Sequence, residues 1–389
     1  MNNSQRIAII GNGLTGSTTA YFLAKLGFKI DLLDVSHAKS QKPVMQLSLS
    51  DNSIKHLEKF GIKNIKNKSY KIKDIFLYDS FNKIDFKSDL IFSKKNKNNL
   101  AYIVSSKLLY KEIYKLIKQN KNILITKKSI NSISENNSNV KIIYEDKTYQ
   151  NYSLAILTLK NSIKFTKKEI SPLLVRNYKE ISNTFIINHK KINNNTARQF
   201  FLKDGPLAFL PLSKKKTFVI WSIKNDSKWS KNIKNKKVVE NFLNLKFSEI
   251  FGKISLNTAI KQFDLNFYLN VTKKLNRTIL LGDALNQFHP IAGQGWNMTL
   301  RNILSLFFVI KRQQNIGLEI GGESFIKEYQ KEIKSKNFIF SILIDGIRKS
   351  FDINNERYAQ LRKITVNILN KNLMIKQHLI DIADKGLSF

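Results

Sequence analysis

Residues 6–34 decide the fold, and they read RIAIIGNGLTGSTTAYFLAKLGFKIDLLD. The stretch begins with a continuous apolar run, Ile7 to Ile10, which is the pattern of a buried parallel strand. A glycine-rich turn follows, and then a segment with apolar residues at helical spacing that ends at Gly27, where a left-handed C-cap terminates a helix. The apolar pattern resumes from Phe28 to Asp34. The sequence therefore predicts a βαβ unit.

The turn between this strand and this helix carries the pattern GxGxxG at Gly11, Gly13 and Gly16. The first glycine permits the tight turn, the second lets the backbone approach a pyrophosphate, and the third lets the helix lie close to the strand. Asp34 follows about 20 residues later, where a carboxylate accepts from an adenosine ribose hydroxyl. The alternative is a glycine-rich turn kept for packing alone, but the strand–turn–helix context favours a dinucleotide site.

A second glycine motif separates the possible dinucleotides, because the first one suits NAD and FAD equally. Residues 282–297 read GDALNQFHPIAGQGWN and follow a short apolar strand at 278–281. A carboxylate at a strand end, here Asp283, can bind a ribityl hydroxyl. A rigid Pro and Gly loop before a helix offers N–H groups to the electron-rich edge of a reduced isoalloxazine. This motif favours a flavin.

The same motif carries a family resemblance. The segment from Gly282 to Arg301 resembles the second flavin motif of the group A flavin monooxygenases, and its HPIAGQG wording is similar to the ubiquinone-biosynthesis hydroxylases among them. Residues 204–212, DGPLAFLPL, and 219–222, VIWS, resemble the substrate-domain strands of those hydroxylases. Residues 263–265 stand where their strand before the flavin motif is expected. The resemblance covers nearly the whole chain in order.

The resemblance implies an α/β fold with three parts. A Rossmann-like FAD-binding domain is interrupted by an inserted β-sheet substrate domain and is followed by a helical C-terminal region. We expect the FAD-binding domain at residues 1–74, 98–170 and 271–330. The substrate domain is expected at 75–97 and 171–270, and the helical region at 331–389.

The activity implied by the resemblance is FAD-dependent hydroxylation, with O₂, of a polyprenylated phenol or quinol ring in ubiquinone biosynthesis, with NADH or NADPH as reductant. The reaction then involves His289, which could relay a proton or only hold its loop, and Pro290, whose carbonyl is implied to accept a phenolic proton. The cofactor-binding residues assigned by the motifs and the resemblance are Gly11, Gly13, Leu14, Thr15, Gly16, Asp34, Lys107, Gly282, Asp283, Gly293, Gln294, Gly295, Trp296 and Asn297.

One departure from the family pattern concerns a pair after the central strand. The family carries Asp-Gly there, which contributes to both flavin and pyridine-nucleotide binding, whereas this chain has Leu159 and Lys160. The loss motivates an alternative of another class, namely a degenerate flavoprotein that is a non-catalytic structural subunit of the biosynthetic complex. It also predicts slow reduction by free NADH or NADPH.

Composition excludes several other chemistries. The chain has no cysteine, which removes disulfides, Fe–S clusters and cysteine nucleophiles. Its five histidines show no metal-ligand spacing, so no metal is expected. The net charge of +37 comes from 57 Lys and only 9 Arg spread over all regions. Because arginine is the residue that phosphate and base recognition prefers, no specific nucleic-acid partner is expected.

Membrane contact is expected without a membrane span. The strongest apolar window, Ile303 to Ile310, is far shorter than the ~18–20 residues of a spanning helix, and no signal-peptide pattern is present. We therefore expect a cytoplasmic protein. Because a polyprenylated substrate stays in the bilayer, we also expect peripheral docking on the anionic inner face of the cytoplasmic membrane. The basic residues expected to assist are Lys331, Lys334, Lys336, Arg348, Lys349, Arg362 and Lys363.

Overall fold

The computed structural model describes residues 5–35, 45–80, 84, 86–94, 99–167, 172–270, 275–287, 293, 295–352 and 356–386. The strands are β1 (Arg6–Ile10), β2 (Lys29–Leu33), β3 (Gln46–Ser50), β4 (Tyr70–Ile72), β5 (Asp74–Ser80), β6 (Leu90–Ser93), β7 (Ala101–Ser105), β8 (Ile123–Thr126), β9 (Ile130–Glu135), β10 (Val140–Tyr144), β11 (Tyr149–Tyr152), β12 (Leu154–Leu157), β13 (Pro172–Asn188), β14 (Thr196–Leu202), β15 (Gly205–Ser213), β16 (Lys216–Lys224), β17 (Ser255–Leu256), β18 (Lys261–Asn270), β19 (Thr278–Leu280) and β20 (Asn286–Gln287). The helices are α1 (Leu14–Ala24), α2 (Asp51–Lys59), α3 (Ser106–Lys118), α4 (Trp229–Asn232), α5 (Lys236–Phe251), α6 (Gly295–Asn315), α7 (Glu323–Asp352), α8 (Glu356–Lys371) and α9 (Leu373–Lys385), and short 3₁₀ helices occupy Lys160–Thr166 and Gly282–Ala284.

A parallel sheet with the order β19-β12-β1-β2-β8 forms the first layer. Its central strand is fully buried, since Ile7, Ala8, Ile9 and Ile10 are each 0% exposed. The predicted βαβ unit is confirmed: β1 and β2 pair in parallel, and α1 connects them. Because the strands are parallel, their carboxyl ends meet at one edge of the sheet, which is where α/β proteins bind ligands.

The large sheet has nine strands, in the order β20-β18-β13-β16-β15-β14-β5-β6, with β17 paired to β13. One of its faces is covered by α5, whose buried residues Val239, Leu243, Phe247 and Phe251 recur every fourth position. Trp221 lies in the same core, since it is 0% exposed and belongs to the same hydrophobic cluster. The charge run at 231–237 predicts a solvated loop, but α5 begins within it, at Lys236.

Two smaller sheets complete the strands, with the orders β11-β10-β9 and β3-β7-β4. The domain boundaries given above stay a prediction. The nine-stranded sheet takes its strands from residues 74–93 and from 172–287, while the parallel sheet takes its strands from 6–33, 123–157 and 278–280.

The C-terminal part is helical from α6 to α9, as the sequence predicts. Ion pairs attach α7 to β13: Arg176 Nε lies 3.2 Å from an Asp345 carboxylate oxygen, and the buried Arg348 pairs with the buried Glu180. Removing one partner of the buried Arg348–Glu180 pair would leave an uncompensated buried charge, so this pair holds α7 against β13. Among the described helices, none is long and apolar enough to cross a membrane.

Candidate functional site

The fingerprint turn has the geometry that its glycines predict. The Gly11 N–H donates to the Leu33 carbonyl at 2.9 Å, and Gly11 has a φ of +116°, which side chains rarely adopt. A Cβ on Gly16 would lie 1.8 Å from the Gly11 carbonyl oxygen, so only glycine allows the helix to approach the strand this closely. Gly13 is the N-cap of α1 and provides no side-chain cap. The first turn of α1 therefore presents backbone donors suited to an anion.

The two glycine motifs, far apart in the sequence, meet in the structure. Gly282 follows β19 with a φ of +56°, and a Cβ there would lie 2.8 Å from the Thr15 methyl group. Asp283 is exposed beside this contact, and its carbonyl accepts a 2.5 Å hydrogen bond from the buried Tyr268 hydroxyl. The structure thus brings Thr15, Gly282 and Asp283 to the same edge of the parallel sheet.

Polar side chains lie beside the glycine-rich turn on the side of Asp34. Asp34 lies half-buried at the end of β2, and Tyr110 on α3 is close enough for its pKa to be raised, mainly by burial and also by Tyr114 and Asp34. Asn12 Oδ1 accepts from the Ser17 hydroxyl at 3.0 Å and from the Tyr110 hydroxyl at 3.4 Å. The sequence motifs do not point to Tyr110. Its signal was the position one helical turn after Lys107, which is exposed in the first turn of α3.

The Asn297 side chain makes hydrogen bonds that join three elements. Its side chain is 0% exposed; Nδ2 donates to the Ser48 carbonyl at 2.8 Å, and Oδ1 accepts from the Ser50 N–H at 3.0 Å. Oδ1 also accepts a hydrogen bond from the Ser53 hydroxyl at 2.9 Å. The amide therefore fastens the start of α6 to β3 and α2, a contact that the sequence did not predict.

Three further residues of the second motif are described. A Cβ on Gly293 would lie 2.7 Å from the Ser48 Cβ, while Gly295 is exposed at the start of α6 and Trp296 is partly buried against the core. The predicted residues His289, Pro290 and Gln294 lie outside the described residues. Their roles, like those of the other site residues, stay predictions.

The residues in place of the family's Asp-Gly lie next to the fingerprint. A Cβ on Gly11 would lie 2.8 Å from Leu159 Cγ, so the Leu159 side chain reaches the turn. Lys160 is exposed, with its ammonium 4.5 Å from the centre of the Tyr268 ring. The Tyr268 hydroxyl in turn donates to the Asp283 carbonyl. Leu159 therefore lies beside the first glycine motif, and Lys160 lies near the second through Tyr268.

These residues fit an FAD. Two carboxylates, Asp34 and Asp283, end strands on either side of β1, where a ribose and a ribityl chain each need an acceptor. Between them, the uncapped N-terminus of α1 suits the pyrophosphate. Within the described part of the chain, no group of three or more histidine, aspartate or glutamate side chains is placed to hold a metal ion.

Comparison with known proteins gives similarities over the whole chain. The mitochondrial ubiquinone biosynthesis monooxygenase of Dictyostelium discoideum is 22% identical, covering 100% of this chain and 92% of that protein. The crystal structure of p-nitrophenol 4-monooxygenase from Pseudomonas putida has a TM-score of 0.77 at 12% identity, covering 99% of this chain and 100% of that one. The FAD complex of an HpxO variant from Klebsiella pneumoniae has a TM-score of 0.74 at 13% identity, covering 98% and 99%.

The sequence relatives define a flavin-dependent monooxygenase. The solved structures confirm the predicted α/β fold class. The resemblance to the ubiquinone-biosynthesis hydroxylases is confirmed by the sequence relatives. The chain belongs to the squalene epoxidase family, whose sequence profile matches residues 167–383.

Proposed function

We propose that this protein is an FAD-dependent hydroxylase of a polyprenylated phenol or quinol ring in ubiquinone biosynthesis. The observation that carries the proposal is the close approach of Gly282 to Thr15, which brings the two glycine motifs together. It is supported by full-length similarity to a ubiquinone biosynthesis monooxygenase. FAD, when bound and reduced, supplies the activation of O₂ for transfer of one oxygen atom to the ring.

The chain's own residues bind and orient the FAD. The N–H groups at the start of α1, from Leu14 and Thr15, bind the pyrophosphate, because Gly13 leaves them without a side-chain cap. Asp34 accepts from the adenosine ribose and Asp283 from the ribityl chain. The amide of Asn297 holds the start of α6 in place by its three hydrogen bonds. The Pro290 carbonyl accepts the phenolic proton, and His289 relays it.

The experiment is to purify the protein and record its visible spectrum, and then to follow O₂ uptake with a polyprenylated phenol and a chemical or enzymatic reductant. We expect bound flavin absorbance and a product heavier by one oxygen atom. An Asp283→Ala variant, which loses the ribityl acceptor, should bind FAD at least about tenfold more weakly. A folded protein that stays colourless with excess FAD contradicts the proposal.

The non-catalytic alternative is not favoured, since the relatives over the full chain are monooxygenases. Contact with further subunits of a ubiquinone-biosynthesis complex is part of the proposal. Such a subunit would supply the reductant if free NADH and NADPH reduce the flavin slowly.

We further propose that α8 and the start of α9 dock on an anionic bilayer. A stripe on α8 is exposed although it is apolar: Leu361, Ile364 and Ile368 are 58, 55 and 56% exposed. At the start of α9, Met374 is 83% exposed. Exposed apolar patches of this kind mark interaction surfaces, and the charge of +37 suits an anionic partner.

Polar contacts hold α8 against the sheet with its apolar stripe exposed. Arg362 Nε pairs with Asp79 at 2.6 Å, and Asn370 donates to the Asp89 carbonyl. These bonds tie α8 to β5 and to the turn before β6. The anchored helix then presents its apolar stripe away from the sheet.

The structure corrects part of the expected basic set. Four of its residues are occupied by ion pairs with acids of the protein, and these pairs are Lys336 with Glu332, Arg348 with Glu180, Lys349 with Asp345 and Arg362 with Asp79. Lys331, Lys334 and Lys363 remain, and the exposed Lys371 continues the α8 stripe. The charge near the stripe is therefore smaller than the sequence suggested.

Sedimentation with vesicles that contain anionic lipid tests the docking. Replacing Leu361, Ile364 and Ile368 together by serine should weaken binding at least about tenfold, because apolar burial in the interface is lost. Binding should also weaken between about 0.1 and 1 M salt, where the screening length falls from about 10 to 3 Å. The matched control replaces three exposed apolar residues elsewhere, Leu124, Val238 and Leu245, by serine. Equal loss in both triple variants, or no binding of the wild type at low salt, refutes the docking.

A further inference from the structure

The short 3₁₀ helix that carries Asp283 is held in place by β18, a strand of the nine-stranded sheet. The Tyr268 hydroxyl donates to the Asp283 carbonyl at 2.5 Å, and Nδ2 of Asn270 donates to the Ala284 carbonyl at 2.8 Å. The N–H of Asn270 donates to the Leu285 carbonyl at 2.7 Å. One strand thereby fixes three consecutive carbonyl groups of the second glycine motif.

The donor of the first of these bonds is buried, whereas the residue that it holds is accessible. Tyr268 is only 5% exposed, and Asp283 is exposed. Burial, with a smaller contribution from the charge of Asp283, raises the pKa of the Tyr268 hydroxyl, so this group keeps its proton and remains a donor at neutral pH. The backbone of Asp283 is thus anchored to a buried group, while the residue itself can meet a cofactor.

The aromatic ring of Tyr268 makes a separate contact. The Lys160 ammonium lies over this ring, 4.5 Å from its centre. A cation is attracted to the face of a phenylalanine ring as well as to that of tyrosine, whereas the bond to Asp283 needs the hydroxyl. Replacing Tyr268 by phenylalanine therefore keeps the contact with Lys160 and the buried ring, and it removes the hydrogen bond to Asp283 alone.

We propose that Tyr268 is a positioning residue for FAD, whose hydroxyl fixes the backbone of Asp283 so that the Asp283 carboxylate accepts from the ribityl chain. The inference rests on the proposed function, because Asp283 is the ribityl acceptor there. An acceptor on an unbraced turn loses conformational entropy when it binds, whereas an acceptor on a braced turn has lost it already, which strengthens binding. Tyr268 acts through Asp283 and not on the flavin ring.

The variant Tyr268→Phe tests the hydroxyl. We expect the dissociation constant for FAD, measured by flavin fluorescence, to rise about fivefold, since one hydrogen bond that orders the acceptor is lost. At saturating FAD, the circular dichroism of the visible flavin band should also change, because the bound flavin is held in a different orientation. The matched control is Tyr329→Phe, which removes the hydroxyl of another buried tyrosine, a donor to the Asn302 carbonyl at 3.5 Å, and should change neither property.

A double-mutant cycle tests whether Tyr268 acts through Asp283. Asp283→Ala removes the carboxylate that is positioned, so adding Tyr268→Phe to it should weaken FAD binding no further. An equal loss with and without the Asp283 carboxylate overturns the proposal, and so does a Tyr268→Phe protein that matches the wild type in affinity and dichroism. Either of these results leaves the proposed hydroxylation standing, provided that the wild type binds FAD. A folded wild type that binds no FAD refutes both.

Discussion

Gly13→Val abolishes FAD binding while the protein still folds. The backbone at Gly13 has φ −91° and ψ −172°, an extended conformation that valine adopts without strain. The new side chain therefore does not break the turn. It projects at the N-terminus of α1, into the space that the pyrophosphate needs. We expect the dissociation constant for FAD to rise at least about a thousandfold, or about 4 kcal/mol. Flavin fluorescence on titration measures it.

Two other glycine substitutions give the controls. Gly346→Val changes an exposed position on α7 with open space around the Cβ, and it should leave FAD affinity unchanged. Gly16→Ala should instead lower the free energy of unfolding, because its Cβ would meet the Gly11 carbonyl at 1.8 Å. Full flavin content in purified Gly13→Val protein would show that the glycine-rich turn after β1 does not bind FAD.

Restoring the family's pair should accelerate flavin reduction. We expect wild-type FAD to be reduced by free NADH or NADPH more slowly than about 1 s⁻¹, the lower end of ordinary turnover rates. The absence of glycine at Lys160 prevents close backbone approach, and Leu159 places an apolar side chain beside the Gly11 turn. Leu159→Asp with Lys160→Gly returns both features. Stopped-flow reduction, followed at the visible flavin band, should become at least about tenfold faster.

The control for this pair introduces the same residue types further along the 3₁₀ helix. Asn161→Asp with Lys164→Gly changes two exposed positions and should leave the rate as it is. Wild-type reduction at about 1–10³ s⁻¹ by free NADH or NADPH would show that the substitution of Asp-Gly is harmless. In that case no separate reductant or partner subunit is needed.

The local features of the site were readable from the sequence. The βαβ unit, the tasks of Gly11 and Gly16, and the strand before Gly282 depend on residues that are neighbours along the chain, so periodicity and spacing report them directly. The resemblance then supplied the order of the remaining parts. The helix α5 shows that a local pattern can be ambiguous. Its apolar residues recur every fourth position, as in a helix, but its first turn begins in a run of charged residues that is typical of a loop.

Residues that act through distant partners were not readable in this way. The Asn297 amide forms hydrogen bonds with residues of β3 that are nearly 250 positions away. The Tyr110 hydroxyl donates to Asn12, which is 98 positions away. The sequence by itself determined the flavin class of the protein, because that class depends on short motifs. Tertiary structure alone decided which charges are paired, because pairing depends on distances that only chain folding creates.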